Sequence, residues 1–414
     1  MQANFEGGSR EIALVLACVR AHYTGRYRSD PISAEMAWSE VLSVASCHGI
    51  VPLVFASLTA AGEPLSKEAR ELLRTEFHRS AANSFLYATE LVRLFDSLRE
   101  RKIPALALKG PALATLLYGK LSLRTVRDLD ILVEKNQVGP AMEVLRACGY
   151  VAAEGLDGAG PSVKAGLRKH ALLTHQRAGF NVELHWAVAD PSFALPLNFD
   201  RLWAERQIVT ILSQPVATLG LEDTLLTMCA HATNHCWGSL KWICDIAQAV
   251  SSLPGLDWGR ILARAQRLGC SRMLFVSLAL ASELCGISLP KKLEADVSST
   301  KVRRLCREVR TTLLLDAEPP VNLNRTLTYI RSRERLRDRM RIALRFIGPE
   351  LRPNARDRAL VQLPDSFQFL YFPFRLVRIA LFCWKRAIFP IIQSALDWPR
   401  HRDWTTTSPE TASP

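Results

Sequence analysis

Two aspartates, Asp128 and Asp130, stand two residues apart in the segment Arg-Asp-Leu-Asp-Ile-Leu-Val at residues 127–133. Residues two apart in a β-strand face the same way, so the two carboxylates would project together while Leu129 and Ile131 face the other side. Proteins commonly bind Mg²⁺ through one or two carboxylates together with the phosphates of a substrate. The spacing therefore predicts a divalent-metal site beside a phosphate-bearing substrate.

A third carboxylate, Glu183, lies in an alternating segment at residues 182–186, on a polar face that it shares with His185. If this strand neighbours the first, the three carboxylates converge. They would then suit a two-metal site, where one ion activates an attacking hydroxyl and the other stabilises a leaving pyrophosphate. His185 would orient the acceptor or relay a proton, or else support a metal ligand from behind.

The apolar run at residues 105–108 ends in Lys109-Gly110, and Pro111 follows where a first helical residue belongs. Backbone N–H groups and the dipole of such a helix bind anions, and Lys109 would add a positive charge. Arg124 and Arg127 precede the acidic strand and are also placed to meet phosphates.

Taken in this order, these residues resemble the uncharacterised bacterial nucleotidyltransferases of the polymerase-β superfamily. The superfamily pattern is a Gly-[Gly/Ser] turn, then D-h-[DE]-h, then a third carboxylate on a later strand. In the uncharacterised branch the turn is Leu-Lys-Gly, as at 108–110, and an Arg stands four residues before the first Asp, as Arg124 does. The third acid sits in a Glu/Asp-Leu-His-Trp strand, as at 183–186. The resemblance covers about residues 100–190 and extends loosely through 48–58 and 231–248.

The resemblance implies metal-dependent transfer of an NMP group from an NTP such as ATP to an unidentified acceptor, with release of pyrophosphate. The cofactor would be Mg²⁺ or Mn²⁺, and the acceptor a small molecule, a sugar, a peptide or a protein. The implied roles are metal ligands at Asp128, Asp130 and Glu183 (the last also a candidate general base), phosphate binding at Lys109, Gly110 and Arg124, and acceptor-side or supporting roles at His185 and Arg127.

Two features depart from the superfamily pattern. Pro111 stands where a Ser usually follows the glycine, which removes one side-chain donor to phosphate. Asp128 lies 18 positions after Gly110, a longer gap than usual. Both bear on how the triphosphate is held and on whether the site is active.

Two other classes of function remain open on the sequence. A glycosyltransferase also binds a nucleotide-sugar through D-x-D, but its hydrophobic strand precedes the acids, whereas Ile-Leu-Val follows Asp130 here. A non-catalytic nucleotide-binding or membrane-tethered interaction protein could retain the same core.

The surrounding elements predict an α+β fold, with a small core flanked by helical regions at both ends. The resemblance implies that this core is a mixed-sheet nucleotidyltransferase core. The expected regions are an N-terminal helical region (1–100), the α+β core (101–200), a helical domain (201–300) and an Arg-rich helical region with a disordered end (301–414). Helical patterning is expected again from about residue 199. Helices are expected at 67–101 and 138–147, and strands at 171–175 and 180–186 flank a turn at 177–179.

The net charge of the 414-residue chain is +13, from 53 Lys+Arg and 40 Asp+Glu. Residues 301–414 hold 22 Lys+Arg and 11 Asp+Glu, a net of +11, so the first 300 residues are nearly neutral and nucleic acid is not expected as a partner. Ten cysteines without a C-x-x-C pair, and no signal peptide, favour a cytoplasmic protein.

Residues 366–396 have an amphipathic pattern, with Arg375, Arg378, Lys385 and Arg386 along one side. The pattern predicts either a peripheral contact with the inner face of the membrane or a helix docked on the protein with a solvated basic stripe.

Two pairs on predicted helices lie at i, i+4 spacing. His231 and His235 are predicted to be structural, substrate-facing or, least of all, zinc-binding. Lys241 and Asp245 are predicted to form an ion pair.

Overall fold

The computed structural model describes residues 10–26, 36–62, 65–152, 170–188, 197–253, 255–313, 323–351, 353 and 355–387. The chain forms two compact units, residues 1–342 and 343–414. The boundaries predicted at residues 100, 200 and 300 all fall inside the first unit, and the four-region division stays a prediction.

The N-terminal helices of the first unit are α1 (Arg10–Thr24), α2 (Trp38–Cys47), α3 (Val51–Ala61) and α4 (Lys67–Glu100). Helix α4 begins at a Ser66 cap, whose side-chain oxygen accepts a hydrogen bond from the Ala69 N–H at 3.1 Å. Its buried residues Leu91, Leu94 and Leu98 recur at spacings of three and four, which gives one apolar stripe toward the sheet. The helix predicted over 67–101 is confirmed.

The described strands are β1 (Ala105–Ala107), β2 (Leu129–Val133), β3 (Tyr150–Ala152), β4 (His170–His175), β5 (Asn181–His185), β6 (Gln207–Ile211) and β7 (Gln214–Thr218). They form one sheet in the order β3-β4-β5-β2-β1-β7-β6. The β1/β7 and β2/β5 pairs are parallel and the other four pairs are antiparallel. The fold is α+β with a mixed sheet, as the sequence predicts.

Strand β2 divides its residues between the two faces of the sheet. Leu129, Ile131 and Val133 join the core cluster that includes α4 residues, whereas Leu132 joins a second cluster with Leu106. Asp130 alternates with Leu129 and Ile131, so it shares the face of Leu132, opposite α4.

Helices α5 (Gly110–Tyr118), α6 (Val138–Ala147) and α7 (Phe199–Ala204) connect the strands, with 3₁₀ turns at Leu121–Leu123 and Lys135–Gln137. The predicted bounds of α6 are confirmed, as is the β4–β5 hairpin around its turn.

The prediction of helix from about residue 199 is wrong for residues 207–218, which form the β6–β7 hairpin. The two turn residues, Leu212 and Ser213, have φ angles of 48° and 64°. Positive φ at both central residues is the geometry of a type I′ hairpin turn, which normally carries Asn or Gly. Leu-Ser is not a typical hairpin-turn sequence, so the turn could not be recognised from it. In the strand before it, the apolar Val209 and Ile211 are buried and Thr210 between them is exposed, an alternation typical of a strand.

The remaining helices are α8 (Leu221–Asn234), α9 (Leu240–Ser252), α10 (Trp258–Leu268), α11 (Ser271–Cys285), α12 (Glu294–Val297), α13 (Thr300–Leu313), α14 (Leu323–Ser332) and α15 (Leu336–Leu351), with a 3₁₀ turn at Lys291–Leu293. Helix α11 contacts α1, α8, α9 and α13. Its Leu274, Leu278 and Ala281 are fully buried, so it forms the centre of this helical layer.

The second unit contains α16 (Ala355–Leu360), a 3₁₀ segment (Asp365–Leu370) and α17 (Tyr371–Ala387). Arg375 and Arg378 of α17 form ion pairs with the buried Asp357 of α16, at 3.7 and 2.7 Å. The expectation of a solvated stripe is therefore wrong for these two arginines, since a carboxylate within the same unit attracts them. Residues 388–396 lie outside the described residues. No described helix combines the length and the apolar character that crossing a membrane requires.

Candidate active site

The three predicted acids lie on two neighbouring parallel strands. Asp130 of β2 is directly opposite Glu183 of β5, and Asp128 immediately precedes β2. Asp130 is buried, whereas Asp128 and Glu183 are partly exposed. The carboxylates thus reach one region of the sheet from segments more than 50 residues apart.

The Asp130 carboxylate has two partners on one oxygen and none on the other. Its Oδ1 accepts hydrogen bonds from Lys109 Nζ at 2.8 Å and from His185 Nε2 at 3.0 Å. Its Oδ2 is buried and makes no hydrogen bond with any described residue. Burial by itself would raise the pKa of Asp130, but the positive charge of Lys109 and the bond from His185 hold that pKa well below its usual range. Asp130 is therefore ionised, and its Oδ2 atom has no hydrogen-bond partner among the described residues.

His185 joins two of the acids. Its Nε2 lies 3.1 Å from Glu183 Oε2 as well as 3.0 Å from Asp130 Oδ1. Ionised carboxylates only accept hydrogen bonds, so Nε2 carries the proton in this arrangement. This bond lowers the pKa of Glu183 and so favours its ionised form. His185 positions both carboxylates at once.

His170 also belongs to this cluster, although no role could be assigned to it from the sequence. It pairs with His185 across β4 and β5, and its Nε2 lies 3.8 Å from Glu183 Oε1. Ligand atoms of His170, Glu183 and His185 lie within 4.8 Å of one another, close enough to hold a metal ion together. Counting antiparallel partners outward from the predicted 177–179 turn would set His170 opposite Trp186, one residue away from the pairing with His185 that the structure shows.

Asp128 behaves differently from Asp130. Burial raises its pKa, and the negative charge of Asp130 raises it further. Lys109 and Lys241 act in the opposite direction. The two aspartates therefore have pKa values pushed apart, because only Asp130 has a cation in direct contact.

The Lys109-Gly110 turn brings β1 and α5 against the start of β2. Gly110 has φ +61°, and a Cβ at this position would lie 3.3 Å from the carbonyl oxygen of Asp128. Both the left-handed backbone and the close approach favour glycine. The turn thereby places Lys109 within reach of Asp130.

A Gly110→Ala substitution is expected to destabilise the protein by about 1–2 kcal/mol through its positive φ, and also to displace Asp128 and reduce turnover. Gly119→Ala is the matched control, because Gly119 has φ +64° and a Cβ added there would meet no atom within 4 Å. Chemical denaturation and nucleotide-transfer assays of both variants check this. Equal turnover in the two variants would show that the approach to Asp128 does not matter.

Helix α4 fixes the segment that leads into Asp128. Three of its side chains donate to consecutive or near-consecutive carbonyls there: Ser84 Oγ to Arg124 O (3.0 Å), Asn83 Nδ2 to Val126 O (2.7 Å) and Tyr87 OH to Arg127 O (2.7 Å). Backbone carbonyls in an irregular buried segment need such donors. A helix remote in sequence thus determines where the acidic strand begins.

Arg124 is buried and bound to a carboxylate. Its guanidinium donates to both oxygens of Asp245 on α9 at 2.9–3.0 Å, and Tyr118 OH donates to the same carboxylate at 3.1 Å. Arg124 Nη1 also lies 3.4 Å from the Gly110 carbonyl. Arg124 therefore joins α9 to the turn, and its assignment to phosphate stays a prediction.

The expected Lys241–Asp245 ion pair is wrong, because Arg124 takes the Asp245 carboxylate. Arg127 is exposed and donates to the Ser46 carbonyl at 3.1 Å. Its acceptor-side role stays a prediction.

A pocket lies between the Lys109 turn and helices α8 and α9. It is lined by Leu108, Lys109, Leu113, Arg124, Thr227, Met228, His231, Trp242 and Asp245. The His231 and His235 rings are 4.7 Å apart, and Trp242 lies against both, at 5.3 and 4.7 Å. This aromatic group places His231 beside the candidate phosphate site.

The mixed sheet thus carries carboxylates on adjacent parallel strands, with the Lys109-Gly110 turn beside them. The chain belongs to the family described as "Uncharacterised nucleotidyltransferase", whose model matches residues 34–286. The protein is accordingly an enzyme of nucleotide transfer. None of the curated proteins compared with the chain matches it.

Two solved structures are similar to parts of the chain. One is ANT(2″)-Ia in complex with adenylyl-2″-tobramycin, 16% identical, covering 55% of this chain and 98% of that one with a TM-score of 0.25. The other is an antigenic nucleotidyltransferase-like protein from Paracoccidioides brasiliensis, 18% identical, covering 50% and 93% with a TM-score of 0.31. The family assignment rests on the family model.

Proposed function

We propose that the protein transfers an NMP group from an NTP to an acceptor and releases pyrophosphate, with a divalent metal ion at the Asp128, Asp130 and Glu183 carboxylates. The observation that carries this proposal is the buried Asp130 Oδ2, which lacks a hydrogen-bond partner among the described residues and lies on the strand beside Glu183.

The donor set fits Mg²⁺ or Mn²⁺. Both ions bind carboxylate oxygens as ligands, and Mg²⁺ sites typically combine one or two carboxylates with substrate phosphates. Lys109 and His185 occupy Asp130 Oδ1 and leave Oδ2 for an ion. When bound, the ion would neutralise phosphate charge and polarise the attacking hydroxyl.

In the proposed reaction an acceptor oxygen forms a bond to the α-phosphorus, and the bond from that phosphorus to the bridging oxygen breaks. The electron pair leaves with pyrophosphate. The acceptor's proton passes to Glu183, whose side chain is 26% exposed while that of Asp130 is fully buried. His185 holds Glu183 in position, and the Lys109-Gly110 turn binds phosphate.

The test is incubation with each NTP, labelled at the α- or the γ-phosphate, with Mg²⁺ or Mn²⁺ and a cell extract as the source of acceptor. Label from the α-phosphate should appear in a product, and label from the γ-phosphate in pyrophosphate. Asp128→Asn should abolish both signals, whereas Glu134→Gln, at the far end of β2, should leave them unchanged. Transfer of the γ-phosphate to the product would contradict the proposal, since it would indicate a phosphotransferase.

Peripheral membrane contact through residues 366–396 stays a prediction. Leu376, Val377 and Leu381 of α17 are 38–58% exposed, which provides an apolar surface for such a contact.

A further inference from the structure

Lys241 lies in the first turn of α9, at the junction between that helix and the α2–α3 corner. Its backbone N–H donates to the His48 carbonyl at 3.2 Å. A Cβ added at Gly49 would lie 3.3 Å from Lys241 Cδ, so the aliphatic part of the side chain packs against this glycine. The corner therefore fixes the direction of the side chain.

The ammonium group of Lys241 has no ion pair or hydrogen bond with any described residue. The neighbouring cations differ, because Lys109 is paired with Asp130 and Arg124 with Asp245. Burial lowers the pKa of Lys241 to about 8, and the charge of Arg124 acts in the same direction. Lys241 is partly exposed, so its ammonium group is accessible to a ligand from solvent.

The charges around Lys241 favour an external anion. Arg124 and Arg127 repel its ammonium group, while Asp128 and Asp245 attract it. Asp245 is already bound by Arg124, and Asp128 is proposed to take a metal ion. With Asp245 held by Arg124 and Asp128 holding the proposed metal ion, the charge of Lys241 is left for an anion such as a polyphosphate.

We propose that Lys241 binds the triphosphate of the nucleotide donor, so that helix α9 completes a phosphate site that the Lys109 turn begins. This inference rests on the proposed function. It makes the α2–α3 corner and α9 part of the substrate-binding machinery, and it provides a phosphate-binding cation outside the turn, where Pro111 stands in place of a serine.

The test compares wild-type protein with Lys241→Met, which keeps the aliphatic part and removes the charge, and with Lys241→Arg, which keeps the charge. Lys135→Met, an exposed position beyond the far end of β2, is the control. Calorimetric titration with inorganic tripolyphosphate, each NTP and each NMP, in Mg²⁺, measures binding without knowledge of the acceptor.

Lys241→Met is expected to bind tripolyphosphate and the preferred NTP about 10- to 100-fold more weakly, the loss of one charged hydrogen bond. NMP binding should not change, and Lys241→Arg should retain part of the affinity. Equal binding by Lys241→Met and wild type would overturn the inference alone. Failure of the wild type to bind any NTP or tripolyphosphate would overturn the proposed function as well.

Thermal stability separates this role from a structural one. Because the folded-state pKa of Lys241, about 8, lies below its ordinary 10.5, its charge destabilises the fold below pH 8, and the effect disappears as pH rises past 10.5. Lys241→Met should therefore have a Tm equal to or above that of wild type at neutral pH, with the difference shrinking toward pH 10.5. A lower Tm at neutral pH would identify Lys241 as a structural residue instead.

Discussion

Asp130→Asn is expected to reduce nucleotide transfer by about 10³-fold or more and to destabilise the protein by about 3 kcal/mol. Activity falls because the substitution neutralises a proposed metal ligand, and the amide offers a weaker oxygen to a divalent ion. Stability falls because the Lys109 ammonium, 2.8 Å from Asp130 Oδ1, keeps its charge in a buried place without its partner. Steady-state turnover with labelled NTP and chemical denaturation measure the two effects.

The double variant Lys109→Met/Asp130→Asn separates the effect on activity from the effect on stability. Removing both charges should restore most of the lost stability, because no uncompensated charge remains, while turnover stays at the level of the single variant. Such a result would show that the lost activity is not a consequence of unfolding. Turnover close to wild type in either variant would refute the assignment of Asp130 as a metal ligand.

The largest effect on stability is expected from Asp245→Asn, at about 3–5 kcal/mol. Arg124 is only 5% exposed and Asp245 2%, so the substitution leaves a guanidinium buried without its carboxylate. The amide keeps a single acceptor oxygen, which the donors of Arg124 and Tyr118 would have to share. A large fall in Tm and in the free energy of unfolding is the expected measurement.

Asp96→Asn is the control for this prediction, because the Asp96–Arg99 pair is exposed on α4 and such pairs contribute about 0–1 kcal/mol. The double variant Arg124→Met/Asp245→Leu should recover much of the stability, because apolar side chains replace the buried pair. If Asp245→Asn cost no more than Asp96→Asn, the pair would not hold α9 to the sheet.

The sequence by itself indicated the residues of the candidate site and the local elements that carry them. The D-x-D spacing, the Lys-Gly-Pro start of α5 and the alternating strand at 182–186 are all short-range patterns. A strand or helix period, or a turn residue, is contained within a few neighbouring residues, so α4, α5, α6 and the β4–β5 hairpin could be predicted with close bounds.

The sequence did not determine which strands would be neighbours or which charges would pair. Asp130 lies opposite Glu183, 53 positions later in the chain. Asp245 pairs with Arg124, 121 positions away, and not with Lys241. An ion pair at i, i+4 on a helix surface is weak, whereas a buried bidentate guanidinium–carboxylate pair is strong. Asp245 therefore pairs with the distant Arg124.

Only the tertiary structure decided the surroundings of His170 and Lys241 and the formation of the β6–β7 hairpin. His170 gains its neighbours through strand pairing, and the unpartnered ammonium of Lys241, among the described residues, is apparent only when Arg124 is seen to hold Asp245. The hairpin forms on an unusual Leu-Ser turn because pairing with β1 extends the sheet. Such outcomes depend on burial and on contacts between remote segments, which local periodicity does not encode.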